Sequence, residues 1–166
     1  MISLNTSLVC LDVSRMKLSD DDAEHIVRAL KVNTTLKSIS VAANKLSWVG
    51  GTHFGKYLQE NPSLEELDLS GNELHDNGVY AMREALIENT SLLYLNLAAC
   101  GVQDDGLLAI AEGLSANESL QTLHLWGNTF GEASASLFMS IAQHASDLRT
   151  DFLPYQVDGA TLVARA

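Results

Sequence analysis

Ser40, Asp68 and His124 are the side-chain types of a nucleophile, acid and base set, and they fall at spacings of 28 and 56 residues. His25 and His53, also 28 apart, offer paired imidazoles to a metal. Asp20, Asp21 and Asp22 form an acidic run of the kind that can meet a cation. Cys10 and Cys100 are the two thiols, and glycines stand at 50, 51, 55, 78, 106 and 113. Which of these side chains can meet depends on the elements that carry them, and the shared spacing of 28 says that those elements repeat.

The repeat opens at Leu8, Leu36, Leu64, Leu92 and Leu120. Its five copies read LVCLDVSRMKL, LKSISVAANKL, LEELDLSGNEL, LLYLNLAACGV and LQTLHLWGNTF. A fixed period of this length is the mark of a stacked-repeat architecture. Segments such as LDVS, LDLS and LNLA alternate apolar and polar residues, which predicts a strand with one buried face. Asn44, Asn72 and Asn128 stand at pattern position 9, where an inward amide can meet backbone groups at the strand's end. Cys100 takes that place in the fourth copy and Met16 in the first.

The second half of each repeat has helical spacing. The predicted buried triplets are Ala23, Ile26, Leu30; Gly51, Phe54, Leu58; Val79, Met82, Leu86; Leu107, Ile110, Leu114; and Ala135, Phe138, Ala142. Ser19 to Asp22, Asp76 and Asp104–Asp105 suit N-caps, and Asn33, Asn61, Asn89 and Asn117 end the helices. One such unit cannot bury its own face, so the units must stack, strands on the inside and helices on the outside.

The pattern L-x-x-L-x-L-x-x-N/C-x-L, leading into a full helix at period 28, resembles leucine-rich repeats of the ribonuclease-inhibitor type. The junctions Asn5-Thr6-Ser7, Asn33-Thr34-Thr35, Asn61-Pro62-Ser63 and Asn89-Thr90-Ser91 resemble those of NOD-like receptors and of cytoplasmic proteins made only of such repeats. The expected fold is an α/β solenoid, a horseshoe with a parallel sheet on its concave face and helices on its convex face. The expected division is repeats 8–35, 36–63, 64–91, 92–119 and 120–147, with 1–7 the tail of a preceding repeat and 148–166 a capping segment. In that segment Phe152, Tyr155, Val157, Leu162 and Val163 are expected to cover the open end, and Pro154 opposes a central strand.

Stacking decides the chemistry. Adjacent strands lie about 4.8 Å apart, so His124 stands about 10 Å from Asp68 and about 14 Å from Ser40, against the roughly 2.6–3.2 Å of a catalytic contact. Neighbouring helices lie about 8–10 Å apart, too far for His25 and His53 to share a zinc ion. The Asp20–Asp22 run lacks the spaced acids of a calcium loop, and the glycines make no phosphate-binding motif. Cys10 and Cys100, three strands apart, are expected to be free, one on the concave surface and one buried. Neither an enzyme nor a cofactor or metal is expected.

A binding surface fits better. The outward rows are Cys10, Ser38, Glu66, Tyr94, Thr122 and Asp12, Ser40, Asp68, Asn96, His124. The expected partner site is Glu66, Asp68, Tyr94, Asn96, His124 and Trp126, since aromatics on a rigid frame are the usual anchors of an interface. Trp126 has a second reading, as packing for the C-terminal cap. Small residues at Ala42, Ala43, Ala98 and Ala99 either leave room for a partner or merely shape the surface.

Charge narrows the partner. The chain carries a net −11, unevenly spread. Residues 1–56 hold seven basic and five acidic residues; residues 57–148 hold Arg83 against fourteen acids. Such a body repels nucleic acid and anionic lipid and favours a protein or basic peptide, although plain solubility explains the charge as well. No apolar run approaches the ~18 residues of a membrane span. A cytoplasmic setting is expected from the sparse cysteines and the absence of a signal-like start.

The leading expectation is therefore a non-enzymatic interaction scaffold that binds on its concave face. Two alternatives stand beside it. Ran GTPase-activating proteins use a similar array, which makes Arg15 the arginine to weigh for regulation of a small GTPase. The mid-repeat start is also that of a C-terminal fragment of a longer array. The first repeat presents an apolar edge of Leu4, Leu8, Leu11 and Ile26, so the chain is expected to be a monomer or a weak homodimer through that edge.

Overall fold

Inward Leu, Ile and Val at pattern positions 4 and 6 leave each strand only three residues long, just enough to join its neighbours. The computed structural model describes residues 2–60, 63–144 and 147–166. Strands β1 (Cys10–Asp12), β2 (Ser38–Ser40), β3 (Glu66–Asp68), β4 (Tyr94–Asn96) and β5 (Thr122–His124) form one parallel sheet in chain order. Their register is 28 throughout: Cys10, Ser38, Glu66, Tyr94 and Thr122 are successive partners. Helices α1 (Asp20–Leu30), α2 (Trp48–Glu60), α3 (His75–Glu88), α4 (Asp104–Ser115) and α5 (Glu132–His144) return the chain along the other layer.

Between the layers lies one continuous apolar core. Leu67, Leu69, Leu95, Leu97, Leu123 and Leu125 from the strands meet Phe54, Met82 and Ile110 from the helices, all fully buried. Each such leucine stabilises the fold by about 1.5–3 kcal/mol. The predicted triplets of α2, α3 and α4 are buried. At the ends the expectation fails: Ile26 is only partly buried and Ala142 is exposed, because α1 and α5 each have a neighbouring helix on one side only. In α2 the glycines let helices touch. A Cβ on Gly51 would lie 2.7 Å from the Gly78 carbonyl oxygen.

Two asparagine ladders tie the repeats together. In the first, Asn72 Nδ2 donates to the carbonyls of Val41 and Leu69 while Oδ1 accepts from the amides of Asn44 and Leu46. Asn44 and Asn128 make the same four kinds of bond. The second ladder was visible in the sequence only as a junction motif. Asn33 Nδ2 donates to Ile2 and Asn5 carbonyls, and Asn117 Nδ2 to those of Leu86 and Asn89. Their Oδ1 atoms accept the amides two and three residues on. Asn61 and Pro62, read as part of this motif, lie outside the described residues.

The helix caps differ from expectation. Ser19 and Asp22 do form a reciprocal capping box on α1. Asp20, Asp76 and Asp104, however, cap the next repeat along. Asp20 Oδ1 accepts from the amides of Ser47 and Gly50, Asp76 Oδ1 from Gln103, and Asp104 Oδ1 from Gly131 and Ser134. The equivalent residue in the second repeat is Trp48, and α3 starts with no side-chain cap.

The sheet does not stop at five strands. β6 (Arg149–Thr150) pairs with β5, but with a one-residue shift, so that Arg149 partners Thr122. The chain then forms a separate antiparallel hairpin, β7 (Phe152–Val157) and β8 (Ala160–Arg165), turned at Asp158-Gly159 with φ of 51° and 85°. Positive φ at both turn residues is the signature of a type I′ turn. Pro154 is accommodated because a two-stranded hairpin has only edge strands. Phe152 is buried and packs with Phe130 and Phe138 at centroid distances of 5.1 and 4.9 Å. Val163 packs partly on the core. Tyr155, Val157 and Leu162 do not cover the open end: they alternate with the inward residues and face solvent.

Candidate protein-binding face

The outer row Asp12, Ser40, Asp68, Asn96 has a local structural purpose. Asp12, Asp68 and Asn96 each accept, through Oδ1, the backbone N–H two residues ahead, at 2.8, 2.9 and 3.0 Å. Ser40 does the same through Oγ at 3.4 Å. These are Asx and Ser turns that close the strand end. His124 breaks the series, and the amide of Trp126 is taken instead by Asp151, 3.1 Å away across β6. Released from that duty, the His124 ring packs edge-on against Tyr94, with centroids 5.4 Å apart.

Asp68 and Asn96 are thus explained by the fold, whereas Glu66, Tyr94 and His124 are not. Register places Glu66 beside Tyr94, and Asn96 beside His124. Burial first, then the negative charges of Asp68, Glu66 and Asp151, push the Tyr94 phenol above its usual value. Arg83, the single basic residue of 57–148, is engaged on the helix layer by Glu84 and Glu112 at 2.5 and 2.8 Å. It therefore leaves the strand-face acids uncompensated. Arg149, brought next to Thr122 by the register shift, adds a cation at the C-terminal end of the face. Neither Arg149 nor Asp151 was foreseen from the sequence, since the 28-residue pattern ends before them.

Trp126 is half-buried and lines a cleft that Tyr155 and Leu162 of the C-terminal hairpin also line. Of the six expected site residues, Glu66, Asp68, Tyr94, Asn96 and His124 form one patch, and Trp126 turns toward the cap. The small residues have a backbone cause. Ala43, Gly71, Ala99 and Gly127 all have φ between 51° and 87°, and a Cβ on Gly127 would lie 3.2 Å from that of Ala99. Small side chains suit a left-handed turn stacked on its neighbours. Arg15 holds the same turn in the first repeat with φ 58°.

The other constellations stay apart. Asp68 and His124 are separated by the whole of β4. His25 Nδ1 sits 2.6 Å from the Asp21 carbonyl of its own helix. Among the described residues no group of three or more His, Cys, Asp or Glu side chains is placed to hold a metal ion. Cys10 is exposed and Cys100 buried, and burial pushes the Cys100 thiol up to about 12. No helix among the described residues is long and apolar enough to cross a membrane. Two clefts open near the C-terminal end, one of about 990 Å³ between α5 and residues 114–121, the other of about 590 Å³ between the hairpin and residues 126–132. Neither is lined by the strand-face acids, whose patch is an open surface of the kind a protein covers.

Comparison with known proteins agrees with this architecture. A sequence profile described as leucine-rich repeat matches residues 60–82 and 88–111. No curated protein matches the chain. Among solved structures, actin-binding site 2 of leiomodin-1 superposes with a TM-score of 0.74 at 21% identity, over 88% of this chain and 84% of that one. The tropomodulin C-terminal domain of Caenorhabditis elegans superposes with a TM-score of 0.68 at 16% identity, over 84% of this chain and 83% of that one. At these identities the likeness is one of fold: the chain is a leucine-rich-repeat solenoid.

Proposed function

We propose that this chain is a non-enzymatic binding module whose concave face holds a basic segment of a partner protein. The observation that carries this is the patch of Glu66, Asp68, Tyr94 and His124. Its acids have no basic neighbour on strands β2–β5, and its aromatic pair lies on the sheet's outer face, apart from the buried core. Rigid aromatics beside carboxylates favour Lys and Arg through charge and ring-face contacts. The leiomodin domain, described as an actin-binding site, supports a protein partner in general. The 28-residue period with a full helix in each repeat supports kinship with the ribonuclease-inhibitor type. A cytoplasmic setting and a monomer or weak dimer through the N-terminal edge belong to the same proposal.

The test is capture of a partner by the wild-type chain and by a Glu66→Ala, Tyr94→Ala, His124→Ala triple variant whose folding is checked by circular dichroism. The triple variant should lose most of the capture, and wild-type binding should weaken with salt. A folded triple variant that captures the partner undiminished places the site elsewhere.

A further inference from the structure

The C-terminal hairpin has two outer edges, and they are not alike. The type I′ turn makes Val157 and Ala160 the first hydrogen-bonded pair, and the bond from the Ala166 amide to the Asp151 carbonyl, at 3.1 Å, continues the alternation. Phe152, Pro154 and Gln156 therefore direct their backbone groups out along β7, and Thr161, Val163 and Arg165 theirs along β8. Pro154 lacks an amide, so the β7 edge is blocked at its middle. The β8 edge carries no such block. Among the described residues, the backbone groups of Thr161, Val163 and Arg165 have no backbone partner, and the edge is open at Val163 and Arg165, whereas Thr161 is buried against Ser136.

That open edge borders the groove of about 590 Å³, which four consecutive residues, Ala160 to Val163, line along one wall. Consecutive lining is how a strand presents its edge rather than its face. Trp126, Phe130 and Glu132 line the groove as well, together with Tyr155 of β7. On the hairpin's outward face Tyr155 and Leu162 are directly paired and 39% and 44% exposed. A strand laid against β8 would place alternate side chains beside Leu162 on one face and toward Trp126 and Phe130 on the other.

We infer that this groove takes up an extended segment of a partner protein, which adds to β8 as a third strand. The segment is apolar in its centre and basic at its flanks. Strand addition draws affinity from main-chain bonds and specificity from alternate side chains, and both are provided here. Charge selects the occupant. Glu132 lines the groove and residues 57–148 carry one base against fourteen acids, while residues 149–166 balance at two and two. A second copy brings its own net −11 to the contact, whereas a basic strand meets opposite charge. The site is separate from the concave patch, so the two can fail independently.

The probe is a fluorescein-labelled peptide, Lys-Lys-Val-Thr-Val-Thr-Val-Lys-Lys, read by anisotropy and by backbone amide exchange on the full chain. Bound peptide should slow exchange at Val163 and Arg165 by about tenfold. Two changes should each weaken binding about tenfold: Val163→Pro, and N-methylation of the peptide's valines. Proline fits position 163 because its paired position is already Pro154. The methylated peptide gives the same test with the protein untouched. Tyr94→Ala, which reports on the concave patch, should leave the protection at Val163 and Arg165 as it is. The inference is overturned by equal protection of Val163 and Arg165 with the methylated peptide, by peptide binding that leaves these amides unprotected, or by no binding at about 1 mM peptide. It is also overturned if light scattering shows a dimer that protects these amides without peptide, since the occupant is then a second copy.

Discussion

The Cys100 thiol donates to the Leu69 carbonyl, 3.3 Å away, on the rung that asparagine fills in the adjoining repeats. Asn72 makes two donor and two acceptor bonds in its rung, all to backbone groups and all in the interior. Asn72→Ala leaves those groups unmet and is expected to cost about 3 kcal/mol or more, whereas Cys100→Ala should cost about 1–2 kcal/mol. Urea midpoints of the two variants check the order, and a Cys100→Ala loss equal to that of Asn72→Ala would mean the rung is not set by hydrogen-bond count.

The two thiols should be chemically distinct. Cys10 is exposed and should be alkylated by iodoacetamide in the folded chain; Cys100 should react only on unfolding. The same burial makes stability depend on alkaline pH. The Cys100 thiol rises from 9.0 to about 12 on folding, so the unfolded chain ionises first. Its contribution is complete below about pH 9 and is lost progressively toward about pH 12. The Tyr57 phenol, also raised by burial, adds a loss in the same direction. Urea midpoints should fall between about pH 8 and about pH 10.5, and Cys100→Ala should reduce that fall.

Asp104 begins α4 but caps α5. Burial raises its carboxyl, and bonds from Ser134, Gly131 and Ala133 more than offset this, leaving it below its usual value. Asp104→Ala should destabilise by about 1–2 kcal/mol, and Asp104→Asn, which keeps the acceptor, by less. The carboxylate's contribution is present above the ordinary value of 3.8 and lost as pH falls through the lowered one. Thermal unfolding at neutral and acidic pH measures both, and equal losses in the two variants would assign the effect to the carboxylate's charge rather than to its acceptor bonds.

Gly51→Ala should destabilise by about 1–3 kcal/mol, since its methyl meets the Gly78 backbone at 2.7 Å and only a shift of α2 from α3 relieves it. Gly159 is the control. It has φ 85° in open space, so Gly159→Asn should be nearly neutral, as asparagine tolerates that conformation. Calorimetric midpoints of both variants decide whether the glycines serve helix approach or turn geometry.

Much of this fold is legible as period and side-chain type. Leucines at fixed offsets specify which face of each strand is inward, and parallel stacking at one register comes from the constant spacing of 28. Asn44, Asn72 and Asn128 are readable as a ladder because a buried amide must find partners. Glu66, Tyr94 and His124 are legible as one patch for the same reason of register.

Tertiary structure alone decided which bonds cross between repeats and how the chain ends after the last one. Asp20, Asp76 and Asp104 read locally as caps of their own helices, yet their carboxylates meet amides 27 to 30 residues away, because stacking brings the next helix's N-terminus nearer than solvent. Asp68 and Asn96 read from the sequence only as outward side chains, and their bonds to the amides of Ser70 and Ala98 add a second role in closing the strand ends. Trp126 faces the cap and Arg149 joins the strand face for a shared reason. The last repeat has no successor to pack on, so the residues after Leu148 shift register by one and fold back as a hairpin. No periodic signal encodes that ending, which depends on Phe130, Phe138 and Phe152 finding one another across α5.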